Sequence, residues 1–192
     1  MPLQLDRHGW LRDAPGVRRE PSPNCDARPA GAQVSLLVIH NISLPPGRFG
    51  GPWVQALFAN TLDCAAHPWF ARLRGLRVSA HFFIRRDGGI VQFVPGDARA
   101  WHAGVSRHAG RERCNDFSLG IELEGTDLLP YADAQYDALA RLVPALRSRY
   151  PLAAVRGHEH IAPGRKTDPG PAFDWARFAR RCGWPRRQLP PA

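Results

Sequence analysis

Short apolar runs separated by turn sequences predict a chain that alternates strands and helices. Residues 34–40 (Val-Ser-Leu-Leu-Val-Ile-His) are almost entirely apolar, which is typical of a central strand buried on both faces. Residues 119–124 alternate apolar and acidic side chains and predict a strand with one face in the core. Residues 78–85 and 90–94 flank the turn sequence Arg-Asp-Gly-Gly and predict a β-hairpin.

Helical patterns occur at three places between these strands. Residues 53–62 predict a short helix after a Pro/Gly-rich loop, and residues 173–181 predict a last short helix. A longer helix begins near residue 133, where the apolar stripe consists of Tyr136, Leu139, Ala140, Val143 and Leu146. The combined pattern predicts an α/β fold with a central mixed β-sheet flanked by helices.

The length of 192 residues fits a single domain with its own core. Residues 14–33 contain four prolines and two glycines, so we expect residues 1–33 to form an extended arm packed on the domain. The domain itself is expected at residues 34–185. A Pro/Arg-rich segment follows, and residues 186–192 are expected to be a flexible tail.

The formal net charge of +9 raises the question of an anionic partner. The arginines are dispersed along the chain, and they form no stripe with interleaved aromatic residues. We therefore expect no nucleic-acid partner, and a small polyanionic substrate explains the charge better.

Localisation is predicted from three features of the chain. No run of eighteen apolar residues exists, so no membrane span is expected. Residues 1–13 contain charged residues throughout and lack the apolar stretch of a secretion signal. Four scattered cysteines without a CxxC pair are most simply free thiols in a reducing compartment. These features predict a cytoplasmic protein.

Lys166 is the only lysine among 26 Lys and Arg residues. A chain that otherwise uses arginine is expected to keep a lysine where a compact ammonium is needed instead of a flat guanidinium. Lys166 lies eight residues after His158 and two before Asp168, in a segment too rich in Pro and Gly to predict a helix or strand. This segment, residues 157–170, is therefore a candidate reaction site.

A metal site is one hypothesis for the histidines and aspartate of the chain. His40 ends the predicted buried strand, and His158 and Asp168 bracket the Pro/Gly-rich loop. Two imidazoles and one carboxylate suffice for a catalytic Zn²⁺ with water at the fourth position. His160 competes with His158 as a ligand, and Asp168 before Pro169 also fits a simple turn. Residue types alone leave these alternatives open.

A general base is one hypothesis for the acidic residues of the strand at 119–124. Glu122 and Glu124 share one face of it, and a carboxylate pointing from a sheet toward a metal-bound water suits that role. An exposed polar strand face explains the same alternation, and the pattern does not choose between the two glutamates.

Four segments in this order carry a resemblance to a known family. They are His40-Asn41, residues 100–104 (Ala-Trp-His-Ala-Gly), residues 115–125 (Asn-Asp-Phe-Ser-Leu-Gly-Ile-Glu-Leu-Glu-Gly) and residues 157–170. Together they resemble the zinc-dependent N-acetylmuramoyl-L-alanine amidases, whose fold is shared with the T7-type lysozyme and the peptidoglycan recognition proteins. The resemblance covers roughly residues 34–182, so the predicted domain at 34–185 is expected to be a zinc amidase domain.

The resemblance implies a role for each chemical position. His40, His158 and Asp168 match the zinc ligands, Glu122 the catalytic glutamate, and Lys166 the residue that stabilises the oxyanion. His160 falls at a variable position and Glu124 becomes a structural carboxylate. The implied reaction is hydrolysis of the amide bond between the lactyl group of (1,6-anhydro-)N-acetylmuramic acid and L-alanine in muropeptide recycling, by a monomer.

Substrate contacts are predicted at Asn41, Arg77, Trp101 and Arg113. A stem peptide carries several carboxylates that arginine forks hold in bidentate fashion. Each arginine also fits a solvated surface position, and Trp101 also fits core packing. Two alternatives to the recycling enzyme stay open, which are a non-catalytic peptidoglycan-binding module and an amidase that acts on intact cell wall.

Overall fold

The sheet that organises the molecule is assembled from strands distant in sequence. The computed structural model describes residues 3–190. Its strands, in chain order, are β1 (Val17–Arg19), β2 (Cys25–Ala27), β3 (Leu36–Ile42), β4 (Phe82–Ile84), β5 (Ile90–Gln92), β6 (Ala98–Ala100), β7 (Arg107–His108), β8 (Arg111–Glu112), β9 (Ser118–Glu124) and β10 (Ala154–Gly157). Six of them form the main sheet in the order β1-β5-β4-β9-β3-β10.

The sheet is mixed, as the sequence predicts. Only the β4–β5 pair is antiparallel among the neighbours in this sheet, and it is the predicted hairpin. The predicted strands at 34–40 and 119–124 are confirmed as β3 and β9, with β3 extending two residues beyond His40 to Ile42. β10 has only four residues, and the sequence pattern does not reveal it.

Helices pack on both faces of this sheet. They are α1 (Trp53–Phe58), α2 (Asp133–Arg149), α3 (His158–Ile161) and α4 (Trp175–Cys182), with 3-10 turns at Pro68–Leu73, Cys114–Phe117 and Arg186–Gln188. The three predicted helices are confirmed as α1, α2 and α4. The expectation that residues 157–170 contain neither helix nor strand is wrong, because β10 ends and α3 begins there. None of the helices between residues 3 and 190 is long and apolar enough to cross a membrane.

Side-chain alternation divides the strand residues among three apolar clusters in the described part of the chain. Leu37 and Ile39 of β3 and Ile121 of β9 pack in one core with α2 and α4. Phe83 of β4 and Val91 of β5 pack in a second core with α1. On the face of β3 turned away from α2 and α4, Leu36 and Val38 pack in a third cluster. Farther along the same face, the paired residues His40 and Glu122 are left to build a site.

The two ends of the chain contact the domain. β1 pairs in parallel with β5, β2 pairs with β6, and Leu3 and Leu11 lie in the core beside α2 and α4. In the segment expected to be a flexible tail, residues 186–188 form a helical turn and Leu189 packs against the core. Residues 191 and 192 lie outside the described residues.

Candidate metal centre and active site

The register of the parallel strands brings the candidate residues to one edge of the sheet. His40 of β3 is paired directly with Glu122 of β9, and Gly157 of β10 is paired with Ile39 of β3. His158, the residue that follows β10, therefore lies at the same edge of the sheet as His40 and Glu122. The carboxyl ends of adjacent parallel strands are where α/β folds commonly bind ligands.

Asp168 reaches this edge through the loop that follows α3. The backbone N–H of Lys166 donates to the carbonyl of Ala162 at 3.1 Å, and the N–H of Glu159 donates to the carbonyl of Asp168 at 2.9 Å. These bonds fold the Pro/Gly-rich loop back over α3. The loop thus returns its aspartate to the first residue of the helix, His158.

Three potential ligand atoms converge at this point. His40 Nδ1 lies 3.0 Å from both His158 Nδ1 and Asp168 Oδ2, and His158 Nδ1 lies 3.1 Å from Asp168 Oδ2. Ligand atoms around a tetrahedral zinc ion with bonds near 2.0–2.1 Å are separated by about 3.3 Å. The three side chains therefore fit a divalent ion with only a small adjustment, and together they form a candidate metal site.

The other nitrogen of each ligand ring is already engaged. His158 Nε2 lies 3.0 Å from the carbonyl oxygen of Ala103, and His40 Nε2 lies 2.9 Å from His102 Nδ1. A carbonyl only accepts, so His158 carries its proton on Nε2 and keeps a lone pair on Nδ1. His160, the competing candidate, uses its Nδ1 to accept the backbone N–H of Gly157 at 3.0 Å.

The electrostatics keep the ligands ready to bind a cation. His40 is 1% exposed, and burial, followed by the charge of His158, lowers its pKa to about 4. Burial alone would raise the pKa of Asp168, but the proximity of His158 and His40 brings that pKa well below its ordinary value. At neutral pH the imidazole of His40 is therefore neutral and Asp168 is ionised, which are the forms that ligate metals.

Glu122 has the environment expected of a general base. Its Oε2 atom is shielded from solvent and has no hydrogen-bond partner among the described residues. Burial raises the pKa of Glu122 well above its ordinary value, the charge of Asp168 adds to the rise, and the Lys166 ammonium opposes it. Glu124, by contrast, is buried with both oxygens accepting backbone N–H groups, from Gly50 at 2.6 Å and Arg86 at 3.0 Å. The structure thus distinguishes the two carboxylates, because that of Glu124 is saturated with hydrogen bonds and that of Glu122 is not.

A cleft of about 840 Å³ opens over this centre. It is lined by Asn41, Trp101, Glu122, His158, Lys166 and Asp168 from the candidate set. Asn41 donates to Asp127 at 2.7 Å, and the exposed Lys166 stands at the border of the cleft. One wall of the cleft is apolar and comes from α1, the 3-10 turn at 68–73 and Val78.

The two arginines predicted to bind substrate do not line this cleft. Arg77 is exposed and lines a small adjoining cavity of about 90 Å³, which shares Leu73 and Leu76 with the cleft. Arg113 is also exposed, pairs with Asp116 at 3.4 Å, and lines another cavity of about 600 Å³. Neither arginine lines the cleft that holds the candidate metal ligands.

Sequence reasoning missed two carboxylates and a wall of this cleft. Asp127 and Glu159 both line it. The spacing of Asp127 after β9 offers no signal, because its place depends on the bond from Asn41 in another strand. The apolar wall had a partial signal in the predicted helix at 53–62, although nothing in the pattern shows that this helix borders the cleft.

Comparison with known proteins identifies the class to which this fold and site belong. Residues 30–171 match the N-acetylmuramoyl-L-alanine amidase family, and the chain belongs to that family. The 1,6-anhydro-N-acetylmuramyl-L-alanine amidase AmpD of Citrobacter freundii is 66% identical over 172 residues, which cover 88% of this chain and 90% of that protein.

Solved structures agree with this assignment. A crystal structure of a selenomethionine AmpD derivative matches with a TM-score of 0.87 and 63% identity, covering 92% of this chain and 98% of that one. The amidase AmiD from E. coli, in complex with the substrate anhydro-N-acetylmuramic acid-L-Ala-D-γ-Glu-L-Lys, matches with a TM-score of 0.57 and 28% identity, covering 94% of this chain and 65% of AmiD. The predicted family and fold are therefore confirmed.

Proposed function

We propose that this protein is a zinc-dependent hydrolase that cleaves the amide bond between the lactyl group of 1,6-anhydro-N-acetylmuramic acid and L-alanine of the stem peptide. The reaction belongs to muropeptide recycling. One observation carries the proposal: the three ligand atoms of His40, His158 and Asp168 converge beside the carboxylate of Glu122, whose shielded Oε2 has no hydrogen-bond partner within residues 3–190. The high identity to AmpD supports the substrate.

His40, His158 and Asp168 would hold the zinc ion. Two imidazole nitrogens and one carboxylate oxygen are a ligand set typical of catalytic zinc. When bound, Zn²⁺ lowers the pKa of a coordinated water toward roughly 7 and polarises the amide carbonyl. The engaged outer nitrogens of His40 and His158 leave only Nδ1 for such an ion.

Glu122 would move the proton in both halves of the reaction. Its carboxylate accepts a proton from the attacking water, and the acid so formed gives that proton to the departing alanine nitrogen. A raised pKa favours both steps, because it makes the carboxylate a stronger base and keeps the proton on Glu122 until the nitrogen takes it. No covalent bond to the protein is needed.

Lys166 would stabilise the negative charge that develops on the carbonyl oxygen. Its ammonium is a compact charge at the border of the cleft. An interaction with the oxyanion is stronger in the transition state than in the ground state, so it accelerates the chemical step.

The cleft would hold the sugar and the stem peptide. We propose that Trp101 and Asn41 contact the substrate, because both line the cleft beside the reacting groups. Contacts from Arg77 and Arg113 stay predictions from the sequence, since neither lines this cleft. The cytoplasmic location and the monomeric state also stay predictions.

The test combines metal analysis with product analysis. Zinc content is measured by atomic emission, and products from purified anhydro-muropeptide and from intact cell wall are identified by mass spectrometry. We expect one zinc per chain and release of the free peptide from the anhydro-muropeptide. The matched control, His158→Ala, should contain no zinc and release no peptide.

Other outcomes would identify the alternatives. Cleavage of intact wall at a comparable rate would favour a wall-lytic amidase over a recycling enzyme. Binding of muropeptide without zinc and without hydrolysis would instead favour a peptidoglycan-binding module, and it would overturn the proposal.

A further inference from the structure

The outer nitrogens of the two ligand histidines both contact a single dipeptide, His102-Ala103. His40 Nε2 lies 2.9 Å from His102 Nδ1, and His158 Nε2 lies 3.0 Å from the carbonyl oxygen of Ala103. Both residues of the dipeptide are buried. A shift of this one dipeptide would therefore move the hydrogen-bond partners of both ligand rings together.

Asn115 holds the dipeptide in place. Its side-chain oxygen accepts the backbone N–H of His102 at 3.1 Å and that of Ala103 at 2.8 Å. The backbone carbonyl of Asn115 in turn accepts a bond from the Arg28 guanidinium at 3.0 Å. His102, Ala103 and Asn115 thus form one connected unit, which we call the bracket.

Hydrogen-bond direction in the bracket fixes the tautomer of His40. The hydroxyl of Ser118 donates its only proton to the carbonyl of Cys114 at 2.6 Å, so it accepts from His102 Nε2 at 3.1 Å. His102 then has a lone pair on Nδ1, and it accepts the proton of His40 Nε2. His40 is left with a lone pair on Nδ1, the atom that faces His158 and Asp168.

The sequence also leaves room for the ring of His102. A Cβ atom at Gly120 would lie 2.6 Å from both Cγ and Nδ1 of His102, which is too close for any side chain. Gly120 lies in β9 between Ser118 and Glu122. The strand that carries the proposed base therefore also makes the space in which the imidazole sits.

We propose that His102 and Asn115 are positioning residues that fix the tautomers and ring orientations of His40 and His158 before a metal ion binds. The inference rests on the proposed zinc site and adds the device that presets its ligands. Hydrogen-bond partners of this kind commonly change metal affinity by about 10–100-fold when they are removed.

Two variants of His102 separate its two hydrogen bonds. His102→Asn keeps an acceptor near the position of Nδ1, whereas His102→Gln keeps only a polar group near Nε2. We expect His102→Gln to bind zinc about 10–100-fold more weakly than the wild type, and His102→Asn to recover most of that loss. Zinc affinity is measured by competition with a chromophoric chelator, and circular dichroism checks that each variant is folded.

A second pair tests Asn115 independently. Asn115→Asp keeps the accepting oxygen, and Asn115→Leu removes it. We expect Asn115→Leu to lose zinc affinity by a similar factor and Asn115→Asp to keep it. His8→Ala, at an exposed histidine, is the control and should bind zinc like the wild type. If one variant of a pair does not fold, the other pair carries the test.

Nitrogen-15 NMR of the metal-free wild type provides a readout that does not require zinc. We expect unprotonated Nδ1 and protonated Nε2 on both His40 and His158, and a mixture of tautomers for His40 in His102→Gln. Protonated Nδ1 in the metal-free wild type, or equal zinc affinity in all variants, would overturn the positioning role proposed for the bracket. Failure of the wild type to bind zinc would instead overturn the proposed function, while the NMR result still decides on the bracket.

Discussion

At the scale of single residues, two glutamates on one face of β9 differ in their hydrogen-bond partners. Both oxygens of Glu124 accept backbone N–H groups, from Gly50 and Arg86. Glu122 has a shielded oxygen without a partner among the described residues. A saturated carboxylate is a structural element, whereas a buried and partnerless one has a raised pKa and is available to take a proton.

Glu122→Gln should therefore remove catalysis and leave the metal site intact. We expect kcat to fall by about 10²–10⁴-fold, the range usual for a general base, with unchanged zinc content. The measurement is the rate of peptide release from anhydro-muropeptide alongside metal analysis. Glu112→Gln, at an exposed position of β8, is the matched control. Normal turnover by Glu122→Gln would show that another group is the base.

Substitutions of Lys166 test whether a compact positive charge is needed at the proposed active site. Lys166→Ala should lower kcat by about 10²–10³-fold with little change in KM, because the ammonium acts on charge that exists only in the transition state. Lys166→Arg keeps the charge but spreads it over a planar group, so we expect partial activity between that of Lys166→Ala and the wild type. A fall confined to KM would place Lys166 in substrate binding instead.

The sequence alone predicts the positions of these residues but not their different roles. Alternation correctly puts Glu122 and Glu124 on one face of a strand, but it cannot distinguish them. The distinction comes from backbone groups near residues 50 and 86, which lie in loops far from β9 in sequence. The same limit applies to Asn115, because its proposed role depends on two hydrogen bonds from backbone N–H groups of a separate loop, at residues 102 and 103.

At the scale of elements, the segment before β3 is attached by a half-buried guanidinium. Arg28 donates to the carbonyl oxygens of Asn115, Asp116, Ser118 and Gly96, at 2.9–3.1 Å for its shortest bond to each. Burial lowers the pKa of Arg28 to about 10, so it remains charged at neutral pH. It thereby joins the N-terminal residues to the 3-10 turn that carries Asn115.

Arg28→Met should destabilise the protein substantially. The carbonyl groups of two buried residues, Gly96 and Ser118, would lose this donor, and each unpaired buried acceptor costs about 1–3 kcal/mol. We expect the free energy of unfolding to fall by roughly 3 kcal/mol or more, measured by urea denaturation. Arg12→Met, at an exposed arginine, should change it by less than about 0.5 kcal/mol. Equal stability of the two variants would contradict the role given to Arg28.

Strands with a clear hydrophobic period could be predicted, and those without it could not. β3 and β9 each have seven residues and a readable pattern. β1 is Val-Arg-Arg and β2 is Cys-Asp-Ala, so three residues with little apolar content give no periodic signal. Their pairing depends on backbone hydrogen bonds to distant partners, which side-chain pattern does not record.

At the scale of the whole molecule, much of the positive charge serves the fold. A guanidinium has five donors and no acceptor, which suits it to backbone carbonyl groups. Arginines that donate to such groups include Arg19, Arg28, Arg85, Arg86, Arg141, Arg147, Arg149, Arg156 and Arg165. These guanidinium groups keep their charge, but part of their hydrogen-bonding capacity is used within the fold, so the net charge of +9 does not by itself indicate an anionic partner.

Buried histidines should make the stability of the protein pH-dependent. Burial, with the charge of Arg28 adding to it, lowers the pKa of His81 well below its ordinary value. Below pH 6.5 the unfolded chain takes up a proton that folded His81 does not, so the free energy of unfolding falls as the pH falls. Each such histidine contributes a slope of up to about 1.4 kcal/mol per pH unit.

His81→Asn isolates this contribution. We expect a smaller loss of stability between pH 7 and pH 5 than in the wild type, measured by urea denaturation with excess chelator so that metal binding plays no part. His8→Asn, at an exposed histidine, should keep the wild-type slope. The attribution to His81 would be wrong if both variants kept that slope.

The first thirty residues limit how far the chain can be shortened at its N-terminal end. The family match begins at residue 30, yet Leu3 and Leu11 fill the core and β1 pairs along the outer side of β5. A fragment trimmed to the family boundary would lose part of its interior, bare the edge of β5 for pairing with other chains, and lack Arg28. The region matched by the family is thus smaller than the part of the chain that folds together. Protein engineering on this scaffold has to retain the whole folded part.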